Sequence, residues 1–326
     1  MYMKTIVILH TGGTIAMQKD TETGGLTTGE VNPLQQSTIP GADTHHIISE
    51  ELLQVPSPHM TPDCMVSLYH GMKDRIYRFQ ADGVVITHGT DTMEETAFLL
   101  DLFHDSDIPV VITGAMRSEN DLSPDGPLNL AAAVRTAADK QARGAGVLVV
   151  MNEEIHTAKD VMKMHSSNAA AFQSPGSGPI GRFANNRIHL NHRPVQRHLF
   201  PAAPMNKKVP LLKTYTGMEP EVVEHLSSLP LDGIVLEGMG IGNIPPSITA
   251  PVYNLLERDI PVVLTSRCPG GTVEEVYSYE GGGRRLKEAG VVFTGGWSGP
   301  KARLMLMAAL EFCTSREELR QCFEEI

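Results

Sequence analysis

Two continuous apolar runs, Ile6-Val7-Ile8-Leu9 and Val84-Val85-Ile86, each end at once in glycine and threonine, as His10-Thr11-Gly12-Gly13-Thr14 and Thr87-His88-Gly89-Thr90-Asp91-Thr92. A run apolar at every position has no solvent face, so each reads as a strand covered on both sides. Open α/β sheets bind their ligands at the carboxyl ends of such strands. Glycine lets the backbone approach a substrate, and a threonine hydroxyl becomes a nucleophile once a base removes its proton. The two junctions together predict an active site.

Further apolar runs alternate with helical patterns, which predicts βα units and a largely parallel sheet. Residues 17–40 are rich in glycine and threonine with little periodicity, and a loop of that length beside a candidate nucleophile reads as a mobile lid. Thr61-Pro62 starts a helix whose apolar stripe is Met65, Leu68, Met72 and Ile76. Thr92 and Glu95 make a capping-box pattern ahead of Met93, Ala97 and Leu100. Strands are predicted at 109–113 and 146–151, with a helix over 128–143. From 152 to about 188 turn residues dominate, as in Ser174-Pro175-Gly176-Ser177-Gly178-Pro179. Residues 192–210 contain four prolines and read as a linker. Beyond it strands are predicted near 209–215, 233–237, 261–266 and 291–294, and helices near 219–229, 247–258 and 300–312. Ser315 and Glu318 cap a last helix. The fold class is therefore α/β in two domains: 1–191, larger and with a mostly parallel sheet, and 211–326, smaller and also with a parallel sheet.

Composition narrows the chemistry. The chain has 326 residues, 41% apolar and 20% charged, enough for two sizeable cores. No stretch approaches a membrane span, and Met1-Tyr2-Met3-Lys4 leads straight into a strand without an apolar signal region, which predicts a cytoplasmic protein. A formal charge of −11, with no basic block longer than Lys207-Lys208 or Arg284-Arg285, argues against nucleic acid as partner. The 13 histidines, among them His45-His46, His156 and His165, form no metal-ligand pattern. Cys64, Cys268, Cys313 and Cys322 lack the spacing of a zinc site or redox motif and read as reduced packing residues. Gly12-Gly13 could in principle cradle a phosphate, but neither it nor Gly238-Met239-Gly240-Ile241-Gly242-Asn243 matches a nucleotide fingerprint. A nucleotide-binding module is thus the rival reading from another class.

Thr11-Gly12-Gly13-Thr14-Ile15-Ala16 and His88-Gly89-Thr90-Asp91-Thr92-Met93-Glu94-Glu95-Thr96 closely resemble the two signatures of bacterial-type L-asparaginases. Thr113-Gly114-Ala115-Met116-Arg117, Ser123-Pro124-Asp125-Gly126-Pro127-Leu128-Asn129-Leu130, Lys163 ahead of Ala171-Phe172-Gln173-Ser174-Pro175, and Pro300-Lys301-Ala302-Arg303 resemble family segments too, so the likeness spans nearly the whole chain. The resemblance implies hydrolysis of asparagine to aspartate and ammonia, without metal or cofactor, in two acyl-transfer steps. It implies Thr14 as principal nucleophile and Thr90, Asp91 and Lys163 as a second triad. Asp91 would also bind the substrate α-ammonium group and Ser57 its α-carboxylate, with the backbone at Ala115 against the scissile amide. Asn243 would reach the site from a neighbouring subunit of a homodimer or homotetramer.

Three departures accompany the likeness. Many family members carry a loop tyrosine that supports the first threonine, whereas residues 17–40 contain none. A hydroxyl such as Thr27 or Thr28, or a lysine relay, stays open as its replacement. Pro58 stands where some members have glutamine, and Tyr279-Glu280-Gly281-Gly282-Gly283 differs from the family segment that carries a partner-subunit glutamate, which leaves that carboxylate unassigned, with Glu280 as a candidate. Within the same fold, a glutaminase-asparaginase of broader specificity and the amidase subunit of a tRNA-dependent amidotransferase are the alternatives.

Overall fold

The structure, a computed structural model, describes residues 3–19, 26–28, 44–194 and 197–324. The chain divides into two compact units, Met1–Leu199 and Phe200–Ile326. Among the described residues, the N-terminal unit contains strands β1 (Thr5–His10), β2 (Met17–Lys19), β3 (Leu26–Thr28), β4 (His46–Glu51), β5 (Gly83–Thr87), β6 (Val110–Thr113), β7 (Val147–Met151), β8 (Glu154–Thr157), β9 (Met162–Lys163), β10 (Phe172–Gln173), β11 (Gly181–Ala184) and β12 (Arg187–Leu190). Its helices are α1 (Pro62–Phe79), α2 (Met93–Phe103) and α3 (Gly126–Ala138).

Eight of these strands form one sheet in the order β12-β11-β8-β7-β6-β5-β1-β4. The run from β7 to β4 is parallel, and β8, β11 and β12 extend it antiparallel. β5, β6 and β7 are buried at every residue and β1 at all but its first, as expected of strands covered on both faces. On one face Ile6, Ile8, Val85, Val111, Leu148 and Val150 pack against the alanine-rich α3 through Leu130, Ala133, Val134 and Ala137. Each large aliphatic buried there contributes about 1.5–3 kcal/mol. Tyr69 of α1 meets Phe103 of α2 edge-on at 5.6 Å and donates its hydroxyl to the Phe103 carbonyl at 2.7 Å.

The helix beginning after Thr61 starts as its sequence predicts: the Thr61 hydroxyl accepts the Cys64 amide at 3.2 Å, with Pro62 at the first helical position. Elsewhere the structure corrects the sequence reading. β4 was not expected, because none of its residues is fully buried and it lies at the sheet edge beside β1 alone. The helix predicted over 128–143 stops at Ala138, where Asp139 turns extended and accepts the Gln141 amide at 2.8 Å to start a separate 3-10 turn. Residues 152–190 are not dominated by turns: they supply five strands. Two of their hairpins turn on residue pairs with positive φ, Asn152-Glu153 at 48° and 63° and Asn185-Asn186 at 50° and 60°, the geometry of a two-residue turn made without glycine. Within 17–40, Met17–Lys19 and Leu26–Thr28 pair antiparallel. Most of the expected lid lies outside the described residues.

The C-terminal unit has an all-parallel sheet, β13 (Leu211–Lys213), β14 (Ile234–Gly238), β15 (Val262–Ser266) and β16 (Val292–Phe293), in that order. Its helices are α4 (Pro220–Ser227), α5 (Thr249–Glu257), α6 (Gly283–Glu288), α7 (Gly299–Ala309) and α8 (Arg316–Glu324). Ile234, Leu236, Val262 and Leu264 pack with Ile248, Val252 and Leu255 in one core. α6, six residues long, was not foreseen. Among the described residues no helix is long and apolar enough to cross a membrane.

Candidate active site

The turn after β1 is shaped by two glycines. Gly12 and Gly13 adopt φ of 103° and 89°, where side chains carry a steric cost. A Cβ on Gly13 would collide with the backbone of Gly89, and one on Gly12 would stand 3.0 Å from the Val55 carbonyl oxygen. The backbones preceding Thr14 and Thr90 therefore meet through paired glycines. Thr11 secures the approach by donating both its amide, at 3.1 Å, and its hydroxyl, at 2.9 Å, to the Thr87 carbonyl. Half-buried Thr14 then opens a 3-10 turn, Thr14–Ala16, whose Ile15 packs on Ala115.

The second turn gathers polar side chains. Lys163 Nζ donates to the Thr90 hydroxyl at 2.9 Å and to the Asp91 carboxylate at 2.6 Å. These distances suit a hydroxyl and an amine that can exchange a proton, with a carboxylate holding the amine in place. The Lys163 side chain is only 13% exposed and that of Asp91 57%, so the carboxylate is open to a ligand while the amine is held inside. Lys163 stands on the two-stranded β9–β10 ribbon, opposite buried Phe172, and its amide faces a Glu94 carboxylate oxygen at 3.5 Å. Ser57, buried at the start of the 3-10 turn Ser57–His59, accepts the Asp91 amide on its hydroxyl at 3.3 Å. A Cβ on Gly89 would stand 2.6 Å from that Ser57 oxygen, so the position requires glycine. Thr92 is the residue preceding α2, but it makes no side-chain cap; its hydroxyl donates to the Ser57 carbonyl at 2.9 Å instead. The expected capping box is thus replaced by a tie between the serine turn and the threonine turn.

Ala115 lies on a third segment, fixed by Asp125 and Asn129. The Asp125 carboxylate accepts the amides of Met116 at 3.1 Å and Arg117 at 2.9 Å, and Asn129 donates to the Gly114 carbonyl at 3.0 Å. A Cβ on Gly114 would stand 3.4 Å from Thr90 Cγ2, which brings this shelf against the second turn. Ser57, Thr90, Asp91 and Lys163 thus form one hydrogen-bonded group, and Thr14 and Ala115 adjoin it through backbone packing. Asn243 belongs to the C-terminal unit. There its backbone bridges Met239 at 2.7 and 2.9 Å, and its buried Oδ1 has no hydrogen-bond partner among the described residues. Glu280 of the same unit accepts the Thr249 hydroxyl at 3.0 Å.

Sequence reasoning passed over the two histidines behind these turns. His10 bridges Thr87 and Ser49 through its ring nitrogens, both at 2.9 Å, and His88 bridges the Gly89 carbonyl at 2.7 Å and Thr96 at 3.0 Å. Burial pushes both rings down to about 4, so they stay neutral and serve as hydrogen-bonding struts. Their place directly at the strand ends was the available signal. Among the described residues no group of three or more His, Cys, Asp or Glu could hold a metal ion.

Comparison with known proteins converges on one family. The profile for asparaginase, N-terminal, matches residues 5–196, and that for the glutaminase/asparaginase C-terminal domain matches residues 208–323. A probable L-asparaginase of Deinococcus radiodurans is 37% identical over 98% of this chain and 97% of its own length. L-asparaginase 2 of Escherichia coli is 34% identical over 99% of this chain and 93% of its own. The crystal structure of a probable cytoplasmic L-asparaginase from Campylobacter jejuni has a TM-score of 0.86 at 31% identity, covering 98% of this chain and 99% of that one. With its two glycine-threonine turns, its lysine-threonine-aspartate group and both family domains in order, the chain belongs to the asparaginase family and is an amidohydrolase.

Proposed function

We propose that this enzyme is an L-asparaginase that converts L-asparagine to L-aspartate and ammonia through an acyl-enzyme on Thr14. The observation that carries the reading is the Lys163 amine bound to both Thr90 and Asp91 beside Ser57. In the first step the Thr14 hydroxyl attacks the side-chain amide carbon, the carbon–nitrogen bond breaks, and the nitrogen leaves as ammonia with the proton given up by Thr14. In the second, a water positioned by Thr90 attacks the ester, Lys163 handles its proton, and aspartate leaves as Thr14 is restored. Asp91, with its exposed carboxylate, takes the α-ammonium group, and Ser57 the α-carboxylate. The backbone at Ala115 lies along the amide, where preorganised donors stabilise the developing oxyanion.

Assembly follows the same reading. The enzyme works as a homodimer or homotetramer in the cytoplasm, residues 192–210 link its two domains, and Asn243 completes the site of a neighbouring subunit. The unpartnered Oδ1 of Asn243 supports that role, since a buried polar atom calls for a partner. Mixing Asn243→Ala with Thr14→Ala subunits should restore activity; a mixture as inactive as its folded parents overturns shared sites.

Asparagine is expected to be preferred to glutamine, because an added methylene must be fitted without moving the amide from the nucleophile, and such a misplacement costs on the order of 100-fold. Pro58, unable to donate from its side chain, removes one adaptable contact to the substrate backbone. Ammonia release measured on both amino acids decides the matter: comparable kcat/KM overturns the preference, and no release from either overturns the reading.

A further inference from the structure

The four cysteines share no redox spacing, yet two of them meet. Cys313 and Cys322 place their Sγ atoms 3.5 Å apart, and both residues are free and partly exposed. Cys313 is anchored at the end of α7, where its amide donates to the Ala309 carbonyl at 2.8 Å. Cys322 stands on α8, across a tight turn. That turn is well fixed: the Glu318 carboxylate accepts the Thr314 amide at 2.7 Å and hydroxyl at 3.0 Å, and Ser315 Oγ accepts the Glu318 amide at 3.2 Å. α8 buries Leu319 and Phe323, the latter against Trp297, and Arg316 at its start pairs with Asp259 at 2.7 Å. A cavity of about 360 Å³, bordered by Asp259, Pro261, Leu310 and Arg316, opens onto Cys313.

We propose that Cys313 and Cys322 form a modification site, a dithiol that a low-molecular-weight disulfide of the glutathione class oxidises to an intramolecular bond clamping α8 to the end of α7. The sulfurs must approach by about 1.5 Å to reach the ~2.05 Å bond length. The thiolate of one cysteine attacks one sulfur of the small disulfide, giving a mixed disulfide and releasing one small thiol. The sulfur of the other cysteine, losing its proton, then attacks the protein sulfur of that mixed disulfide and expels the second small thiol. Two protein thiols are oxidised by two electrons, and the small disulfide is reduced to two thiols. Burial, reinforced by the adjacent Cys322 sulfur, pushes the Cys313 thiol up to about 12, so the exchange quickens as pH rises. The closed ring constrains the unfolded chain, so oxidation stabilises the C-terminal unit.

The test is to incubate the native full-length protein with oxidised glutathione, alkylate the remaining thiols, and map peptides without reduction. The expected product is one peptide pair joined through Cys313 and Cys322, without retained glutathione on either, reversed by dithiothreitol, and accompanied by a rise in Tm of roughly 5 °C. In Cys313→Ser and in Cys322→Ser no crosslink can form, and the cysteine that remains should hold glutathione as a stable mixed disulfide. Both cysteines still alkylated after oxidation, or glutathione retained on either one in the wild type, would show a packing pair only and overturn the proposal. If a serine variant fails to fold, the wild-type map decides alone.

Discussion

Thr14 and Thr90 occupy like places, each directly after a glycine and within four residues of the end of a buried parallel strand, yet they are held by different means. Thr90 belongs to a side-chain network in which Lys163, Asp91, Ser57 and Thr92 are joined by hydrogen bonds of 2.6 to 3.3 Å. Thr14 is presented by backbone shape, through the close approach of Gly13 to Gly89 and the packing of Ile15 on Ala115. A network fixes protons and charge, while a glycine contact fixes only position. The contrast accords with the division of labour proposed above, in which Thr14 attacks and Thr90 manages water.

The sharpest way to break this contrast is to remove each hydroxyl. Thr14→Ala should lower kcat by about 10⁴-fold and abolish acylation, whereas Thr90→Ala should still acylate slowly and fail to turn over. Mass spectrometry of enzyme quenched with a slowly hydrolysed substrate reads this directly. An ester on Thr90 in the wild type, with Thr14→Ala still acylated, reverses the two roles.

A second comparison concerns the struts, one histidine behind each turn. Both rings sit at about 4 when folded, against 6.5 when unfolded. Between those values the unfolded chain binds more protons than the folded one, so stability is full above pH 6.5, falls as pH drops toward 4, and changes no further from this source below it. The loss is roughly 3 kcal/mol for each ring. Urea unfolding from pH 7 to pH 4 should show this slope, reduced in His10→Gln and in His88→Gln. A slope unchanged in both variants sinks the assignment.

Gly13→Ala probes the backbone half alone. Its Cβ would press on Gly89 and displace Thr14 from its neighbours, so kcat/KM should fall on the order of 100-fold in a folded protein. Retained activity would show that the turn yields. The smallest expected effect is at the shelf: Asp125→Ala leaves the amides of Met116 and Arg117 without their acceptor, at a cost of roughly 1–3 kcal/mol in chemical denaturation. No loss of stability would mean that water replaces the carboxylate.

The central strands β1, β5, β6 and β7 were legible because each carries a buried apolar run, and the two turns because glycine and threonine follow β1 and β5 without a break. β4 was not, since its sequence His46-Ile47-Ile48-Ser49-Glu50-Glu51 mixes polar and apolar residues as an edge strand does. β8, β11 and β12 are four residues each, and their hairpins turn on asparagine and glutamate rather than on glycine. The meeting of Lys163 with Thr90 spans 73 positions, a distance that local periodicity does not encode and only the family resemblance supplied. Thr92 departs from its pattern for a physical reason: the hydroxyl placed to accept an amide of its own helix turns instead to donate to the Ser57 carbonyl.

Lys163 does not stand on the main sheet. The chain leaves the sheet after Thr157 and returns at Gly181, and the intervening excursion carries the lysine. The base of that excursion is fastened by the Ile180 amide on the Ile155 carbonyl at 2.8 Å and by His156 on Ser174 at 2.9 Å. The excursion is no loose arm, since it buries Ala158, Val161, Ala171 and Phe172. A change in its length would move the amine only by repacking those side chains, so the reach of Lys163 is set by packing as firmly as by its hydrogen bonds.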